Sequence, residues 1–294
     1  MKEYEYDEEN ALQTNIESDA FVVNDQGNIV QIGDHSYFEY DINDRLVESQ
    51  VNHLTVTYTY DKSGKRITKT IEGETEKYIY FGANEIAILD GEDRVKQLRI
   101  PGLPFRKGVL RPVAIETENA IYAPIHDIQG NIVKLIDIES QKMISLKKPD
   151  PFGDGLSEDS PSPWIFSGKH YDSDTGLVYY GARFYSPKIR KWLTEDPLFE
   201  SNDLYQYCLN NPFYYFDPDG RSSEEAQEHY DNAKKALVEA VAHSIGSGVA
   251  ALECPPLAVA EAYQATTSFI ESAKEYNKGY EKEQEDKEKK KKND

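Results

Sequence analysis

The chain has 294 residues, a formal net charge of −20 and two cysteines. This acidity leaves no basic stripe to release counterions from phosphates, which argues against nucleic acid and anionic membrane surfaces as partners. Cys208 and Cys254 cannot build a disulfide scaffold or a four-ligand zinc site, and no apolar run reaches the roughly 18 residues of a spanning helix.

The chain opens on Met1 followed by Lys-Glu-Tyr-Glu-Tyr-Asp-Glu-Glu, with no apolar leader. The expectation is a secreted or cell-surface protein delivered by a non-classical route or within a larger chain, or a cytoplasmic one if it is a degraded copy. Residues 1–148 read as short strands and turns. Leu54 to Tyr60 mixes β-branched and aromatic residues over a strand length, and Asp61-Lys62-Ser63-Gly64-Lys65 supplies a turn. A strand follows from Arg66 to Ile71, a turn at Glu72-Gly73-Glu74, and a further strand through Tyr78-Ile79-Tyr80-Phe81. No helical period of any length interrupts this pattern.

The segment repeats internally. Tyr6-Asp7, Tyr40-Asp41 and Tyr60-Asp61 each close a strand, and Gln26-Gly27-Asn28-Ile29-Val30 recurs as Gln129-Gly130-Asn131-Ile132-Val133. The aspartate can accept turn amides, and Gly or Asn can take the left-handed position that follows. His126-Asp127 precedes one pentamer and reads as part of a turn rather than as chemistry. Residues 149–163 hold Pro149, Pro151, Pro161 and Pro163 with Gly153 and Gly155, which excludes regular structure and marks a linker.

Residues 164–220 carry the most specific signal. They contain Tyr171-Asp172-Ser173-Asp174-Thr175-Gly176-Leu177, Tyr179-Tyr180-Gly181-Ala182-Arg183-Phe184-Tyr185, Trp192-Leu193-Thr194-Glu195-Asp196-Pro197 and Asp217-Pro218-Asp219-Gly220. This tract, with the Tyr-Asp turns before it, resembles the repeat-associated core of Rhs (YD-repeat) proteins. The resemblance implies a mainly β fold, in which antiparallel YD hairpins form part of a shell and the core precedes a variable, often toxic, C-terminal segment.

After Gly220 the pattern changes. Ser222-Ser223-Glu224-Glu225 reads as a helix start. Ala226, Tyr230, Ala233, Leu237, Val241 and Ile245 follow a three-to-four spacing, and Pro255-Pro256 ends that helix. A second helix is expected over about 257–276, and residues 281–294 form a charged, solvated or disordered end. Residues 221–294 are therefore expected to be a small helical tail.

The resemblance also implies aspartate-dependent self-cleavage just after the second Asp-Pro-x-Gly motif. The matching residues are Asp196 and Asp217, with Lys191 as an assisting cation and Gly220-Arg221 as the scissile region. Two carboxylates brought together raise one pKa, so that one acts as acid and the other as base. The chain departs from the family pattern at Leu198-Phe199, at Arg190-Lys191 (where Gly-Arg is expected) and at Arg221. The competing reading gives each Asp-Pro a turn-capping role alone. The six histidines are scattered without metal-ligand spacing, so no metal or cofactor is expected. Two functions stand open. One is a toxin-delivery shell fragment whose partners are the rest of an Rhs shell, a secretion component or an immunity protein. The other is a non-catalytic surface or secreted interaction protein.

Overall fold

The computed structural model describes residues 5–6, 12–13, 20–82, 84–102, 111–127, 129–157, 159–198, 203–221 and 224–225. Glu5–Tyr6 (β1) and Leu12–Gln13 (β2) pair with each other. Then come β3 (Phe21–Val23), β4 (Ile29–Ile32), β5 (Ser36–Tyr40), β6 (Leu46–Val51), β7 (Leu54–Tyr60), β8 (Arg66–Ile71) and β9 (Glu74–Phe81). The series continues with β10 (Asn84–Leu89), β11 (Val95–Pro101), β12 (Pro112–Thr117), β13 (Ile121–His126), β14 (Ile132–Asp137) and β15 (Met143–Ser145). β3 to β15 form one 13-stranded antiparallel meander in sequence order.

Five turns of this meander, and one just beyond it, share one wiring. Asn24, Asp41, Asp61, Asp90, Asp127 and Asp150 each accept, on one side-chain oxygen, the amides two and four residues on. The residue three positions on is left-handed in every case: Gly27, Asp44, Gly64, Asp93, Gly130 and Gly153, with φ from +57° to +88°. An Asx side chain thus satisfies turn amides that the ladder cannot reach. The tyrosine closing a strand ties its hairpin to the previous one. Tyr40 Oη donates to the Ile29 carbonyl at 2.6 Å, and Tyr60 Oη to the Leu46 carbonyl at 2.5 Å. The wiring confirms the Tyr-Asp turns at Asp41 and Asp61, whereas Asp7 lies outside the described residues.

A four-stranded antiparallel sheet packs on the meander: β16 (His170–Asp172), β17 (Leu177–Tyr179), β18 (Phe184–Ser186) and β19 (Lys191–Trp192). Between Ser145 and His170 no described residue belongs to a helix or strand. One cluster joins Ile29, Phe38, Leu46, Val56 and Tyr58 of the large sheet to Leu177, Tyr179, Phe184 and Leu193. Another sets Tyr78, Ile88, Ile115, Tyr122 and Leu135 around Trp164, which is fully buried. Ala87 and Leu89 alternate with Ile88 and join Ile79, Leu98, Ile100 and Ala114 on the opposite face. β10 is buried on both faces, which is why its second half, Ile86-Ala87-Ile88-Leu89, reads as an unbroken apolar run while β7 alternates.

The two copies of the repeated pentamer dock the small sheet. The Ile29 amide donates to the Leu193 carbonyl at 2.8 Å, and the Ile132 amide donates to the Ile165 carbonyl at 3.0 Å. Gly27 lies against Glu195, and a Cβ there would stand 2.4 Å from the Glu195 carboxyl.

The chain then makes a 3₁₀ turn, Tyr207–Asn210, and a short strand β20 (Tyr215–Phe216). Here one expectation is corrected. Glu224–Glu225 does not open a helix but forms a strand, β21, paired antiparallel with β20. The reversal follows from the turn between them: Gly220 is left-handed at φ +80°, and Asp217 Oδ1 gathers the amides of Asp219, Gly220 and Arg221. The rest of the expected first helix, up to Pro255-Pro256, and the second, over about 257–276, lie outside the described residues. Cys254 does too, whereas Cys208 is buried in the small-sheet core.

A charged seam runs between the two sheets. Glu85 of β10, 5 % exposed, receives His170 Nδ1 at 2.6 Å and Trp164 Nε1 at 2.8 Å on one oxygen. Its other oxygen meets Arg66 Nη2 at 3.3 Å and Tyr80 Oη at 3.4 Å. The Arg66 guanidinium stacks over Tyr78 and Tyr179, 4.1 and 4.6 Å from the ring centroids. Burial would raise the Glu85 pKa, but His170, Arg66 and Arg99 overcome it and hold the carboxyl at about 2. Because the folded pKa is depressed, this contribution is present above the ordinary value of 4.5 and is lost as pH falls toward about 2. Glu85→Gln leaves buried cations uncompensated, so it should destabilise the fold by about 3–5 kcal/mol at neutral pH. Urea titration tests this, with the gap to wild type narrowing as the pH is lowered toward about 2.

Candidate functional site

The site is built on the turn after β20. Asp217 is 2 % exposed. Its Oδ1 accepts the Gly220 amide at 2.6 Å, that of Asp219 at 3.0 Å and that of Arg221 at 3.3 Å. Oδ2 is buried and has no hydrogen-bond partner among the described residues. It faces Arg183 Nη2 at 3.6 Å, and the same nitrogen lies 3.9 Å from Asp196 Oδ2. The two aspartates picked out in the sequence thus meet on one guanidinium. Asp196 Oδ1 caps its own turn by accepting the Leu198 amide at 2.9 Å.

Arg183 itself was not singled out by the sequence pattern. It sits immediately before β18, 5 % exposed, with its guanidinium 4.3 Å from the centroid of the Trp192 ring. Its Nε donates to the Gly220 carbonyl at 2.5 Å. The Tyr-Gly-Ala-Arg-Phe-Tyr run offered a signal: a charge among residues that become a buried strand has to find partners inside.

Lys191, which the resemblance gives as the assisting cation, makes its ion pair with Asp203 at 2.6 Å. Arg190 is left-handed at φ +59°, at the position where the family pattern expects glycine, and pairs with Asp150 at 2.6 Å. Phe199 lies outside the described residues. Arg221 is exposed and Gly220 buried, so the expected scissile bond lies at the border of protein and solvent. Gly220 has no room for a side chain: a Cβ would stand 3.0 Å from Tyr180 Cβ and 3.1 Å from the Arg183 nitrogen.

Burial pushes the Asp217 carboxyl up from 3.8 to about 6, with Arg183 and the turn amides opposing and Asp219 adding repulsion. The neighbouring anion that contributes is thus Asp219, whereas the sequence argument had placed that repulsion on Asp196. Among the described residues no cluster of three or more His, Cys, Asp or Glu could hold a metal ion. No described helix is long and apolar enough to cross a membrane.

A 13-stranded Tyr-Asp meander carrying a small aspartate-bearing sheet defines a YD-repeat shell protein with its repeat-associated core. The chain belongs to the Teneurin YD-shell family, whose model matches residues 1–219. Among curated proteins it is similar to toxin subunit YenC1 of Yersinia entomophaga, 42 % identical over 191 residues, covering 56 % of this chain and 19 % of that one. The tRNA3(Ser)-specific nuclease WapA of Bacillus spizizenii is 29 % identical over 178 residues, covering 56 % of this chain and 7 % of the nuclease. The chain therefore spans a small part of the length of these relatives. Among solved structures, the Photorhabdus luminescens Tc holotoxin pore with a point-mutant TccC3 superposes with a TM-score of 0.50 at 18 % identity. That match covers 76 % of this chain and 13 % of that one, and it shows the fold.

The raised Asp217 pKa makes stability pH-dependent. The protonated carboxyl is favoured in the fold, so its contribution is full below pH 3.8 and is lost as pH rises through about 6. A shift of that size corresponds to about 3 kcal/mol. Asp217→Asn should therefore gain about 2 kcal/mol relative to Asp217 between pH 4 and pH 8. Urea midpoints on a common Asp196→Asn background, where the chain stays whole, check this, and a pH-independent difference refutes the assignment.

Proposed function

We propose that this chain is the closing end of a toxin-delivery shell and that it cuts itself after Gly220, releasing the segment that follows. In this reading residues 1–148 are shell, 149–163 linker, 164–220 core and 221–294 passenger. The observation that carries it is the meeting of Asp196 and Asp217 on Arg183, with Arg183 also holding the Gly220 carbonyl. Similarity to a toxin subunit and to a nuclease supports the toxin context. Because those relatives are far longer, the rest of the shell belongs to another part of a larger chain or to a partner. A secretion component and an immunity protein complete the expected set of partners.

The chemistry follows from the geometry. Arg183 Nε polarises the Gly220 carbonyl and stabilises the charge that develops on its oxygen. Asp196, held by the same guanidinium, takes a proton from water as it adds to that carbon. Asp217 Oδ1 accepts the Arg221 amide, so the proton that the carboxyl retains up to about pH 6 sits on Oδ2; rotation of the carboxyl brings it to the leaving nitrogen, which it protonates as the C–N bond breaks. One water is consumed, and a Gly220 carboxylate and an Arg221 amine are formed.

Purified full-length chain should yield a fragment whose mass ends at Gly220, while Asp196→Asn and Asp217→Asn stay whole. Above about pH 6 the rate should fall tenfold per pH unit as Asp217 loses its proton. A single intact mass after prolonged incubation at pH 5 overturns self-cleavage and leaves the non-catalytic interaction protein as the better reading. Expression of residues 221–294 alone should slow growth in the cytoplasm or the periplasm. Unimpaired growth in both refutes a toxic passenger.

A further inference from the structure

We propose that Lys169 is the positioning residue of the cleavage turn. Its ammonium group clamps the Pro218 carbonyl, and so keeps Gly220 on Arg183 and Asp217 beside the leaving nitrogen. The proposal rests on the self-cleavage reading above. Lys169 is 4 % exposed, and Nζ donates to the Pro218 carbonyl at 2.5 Å. Among the described residues that is the one hydrogen bond of its side chain, and the Tyr180 ring centroid lies 5.7 Å from Nζ. A buried ammonium group resting on a single backbone carbonyl is expensive. It persists where that carbonyl has to be held in place.

The backbone that carries Lys169 is anchored from the large sheet. Ser167 and Gly168 are both left-handed, at φ +50° and +66°, and the Lys169 amide donates back to Phe166 at 2.7 Å. Asn131 Oδ1 accepts the Ser167 amide at 2.8 Å, and Arg99 Nη1 donates to the Gly168 carbonyl at 2.7 Å. On the other side, the Asp219 carbonyl receives the Ala182 amide at 2.9 Å. Pro218 is therefore pinned by Lys169, and the next residue by the segment Ala182-Arg183 that leads into β18. The charged and titratable groups facing Lys169 are Arg99, Asp217, Asp219, Glu85 and the Tyr180 ring. Burial and the Arg99 charge bring its pKa down to about 8, so it remains a cation over the range in which Asp217 holds its proton. Because the interaction is mutual, removing the Lys169 charge raises the pKa of Asp217.

The test uses the full chain with Lys169→Met, Lys169→Gln and Lys169→Arg. Lys169→Met should slow self-cleavage at pH 5 by tenfold or more without lowering the melting temperature, and should move the midpoint of the rate decline upward from about pH 6. Lys169→Gln retains a donor without charge, so it should recover rate but keep the raised midpoint. Lys169→Arg should restore both. A side chain that merely fills space would lower the rate without moving the midpoint. On the Asp196→Asn background, Lys169→Met should also speed hydrogen exchange at the Asp219, Gly220 and Arg221 amides. Cleaving wild type with unchanged rate and midpoint in Lys169→Met and Lys169→Gln overturns the clamp and leaves self-cleavage standing. Absence of cleavage in wild type overturns self-cleavage instead, and unaltered exchange then overturns the clamp by itself. Should Lys169→Met fail to fold, Lys169→Gln carries the same decision.

Discussion

The carboxylate of Glu85 has to be neutralised inside the protein, and the joint between the two sheets is arranged around that requirement. A lone buried carboxylate is far too costly to keep charged. Arg66, in the same sheet, cannot reach all of its lone pairs. The remainder is supplied by His170 and by the Trp164 indole, both beyond the linker. Docking of the small sheet is therefore a condition for the large sheet's own charge balance. Arg99 extends the constraint, since one guanidinium joins the Glu85 backbone carbonyl to the Gly168 carbonyl. Apolar packing around Tyr58, Tyr179 and Phe184 adds attraction but little direction. The charged seam selects a single register.

The turns explain how so large a meander can be encoded by a short phrase. Successive antiparallel pairing places hairpin ends alternately at the two ends of the strands, and the turns at Asn24, Asp41, Asp61 and Asp127 share one end. Two of these four belong to the repeated pentamer, and those are where the small sheet docks through Ile29 and Ile132. Asn28 and Asn131 are buried at 2 % exposure, so they serve the interior rather than the surface. A turn phrase that satisfies its own amides leaves the following isoleucine amide free to bond outward. The same five residues thus act as turn and as docking edge.

This also shows what was legible in the sequence. The Tyr-Asp pairs at Asp41 and Asp61, the strands from Leu54 to Phe81 and the β class all follow from local alternation and turn chemistry. The turns at Asp90 and Asp150 were missed because Leu89 and Pro149 precede them, not tyrosine. The determinant is the Asx oxygen with a left-handed residue three places on, and tyrosine is an accessory that ties hairpins together. At the site, Asp196, Asp217 and Gly220 were legible because their motif is contiguous. Arg183 was not, since its position on both aspartates depends on how β18 is placed against the turn after β20. Lys191 was legible only as the residue standing where the resemblance expects arginine, and its ion pair with Asp203 depends on a contact that local sequence does not encode. Glu224–Glu225 reads locally as a helix start, yet the reversed chain at Gly220 offers it a strand partner.

The weakened acidity of Asp217 in this turn is a consequence of these same constraints. Asp217 is desolvated because Tyr180 and Arg183 close over Gly220, and they can do so because glycine presents no Cβ. Three amides on Oδ1 favour the charged form, and Arg183 favours it further, yet burial outweighs both and the carboxyl ends near 6. A more exposed turn would leave an ordinary carboxylate there. A deeper one without Arg183 would favour the neutral form further and leave the Gly220 carbonyl without its guanidinium partner. The intermediate case arises only when the small sheet is seated, since Gly168 and Lys169 are placed by Arg99 and Asn131 of the large sheet. The environment of Asp217 and Gly220 in this sense depends on the joining of the two sheets.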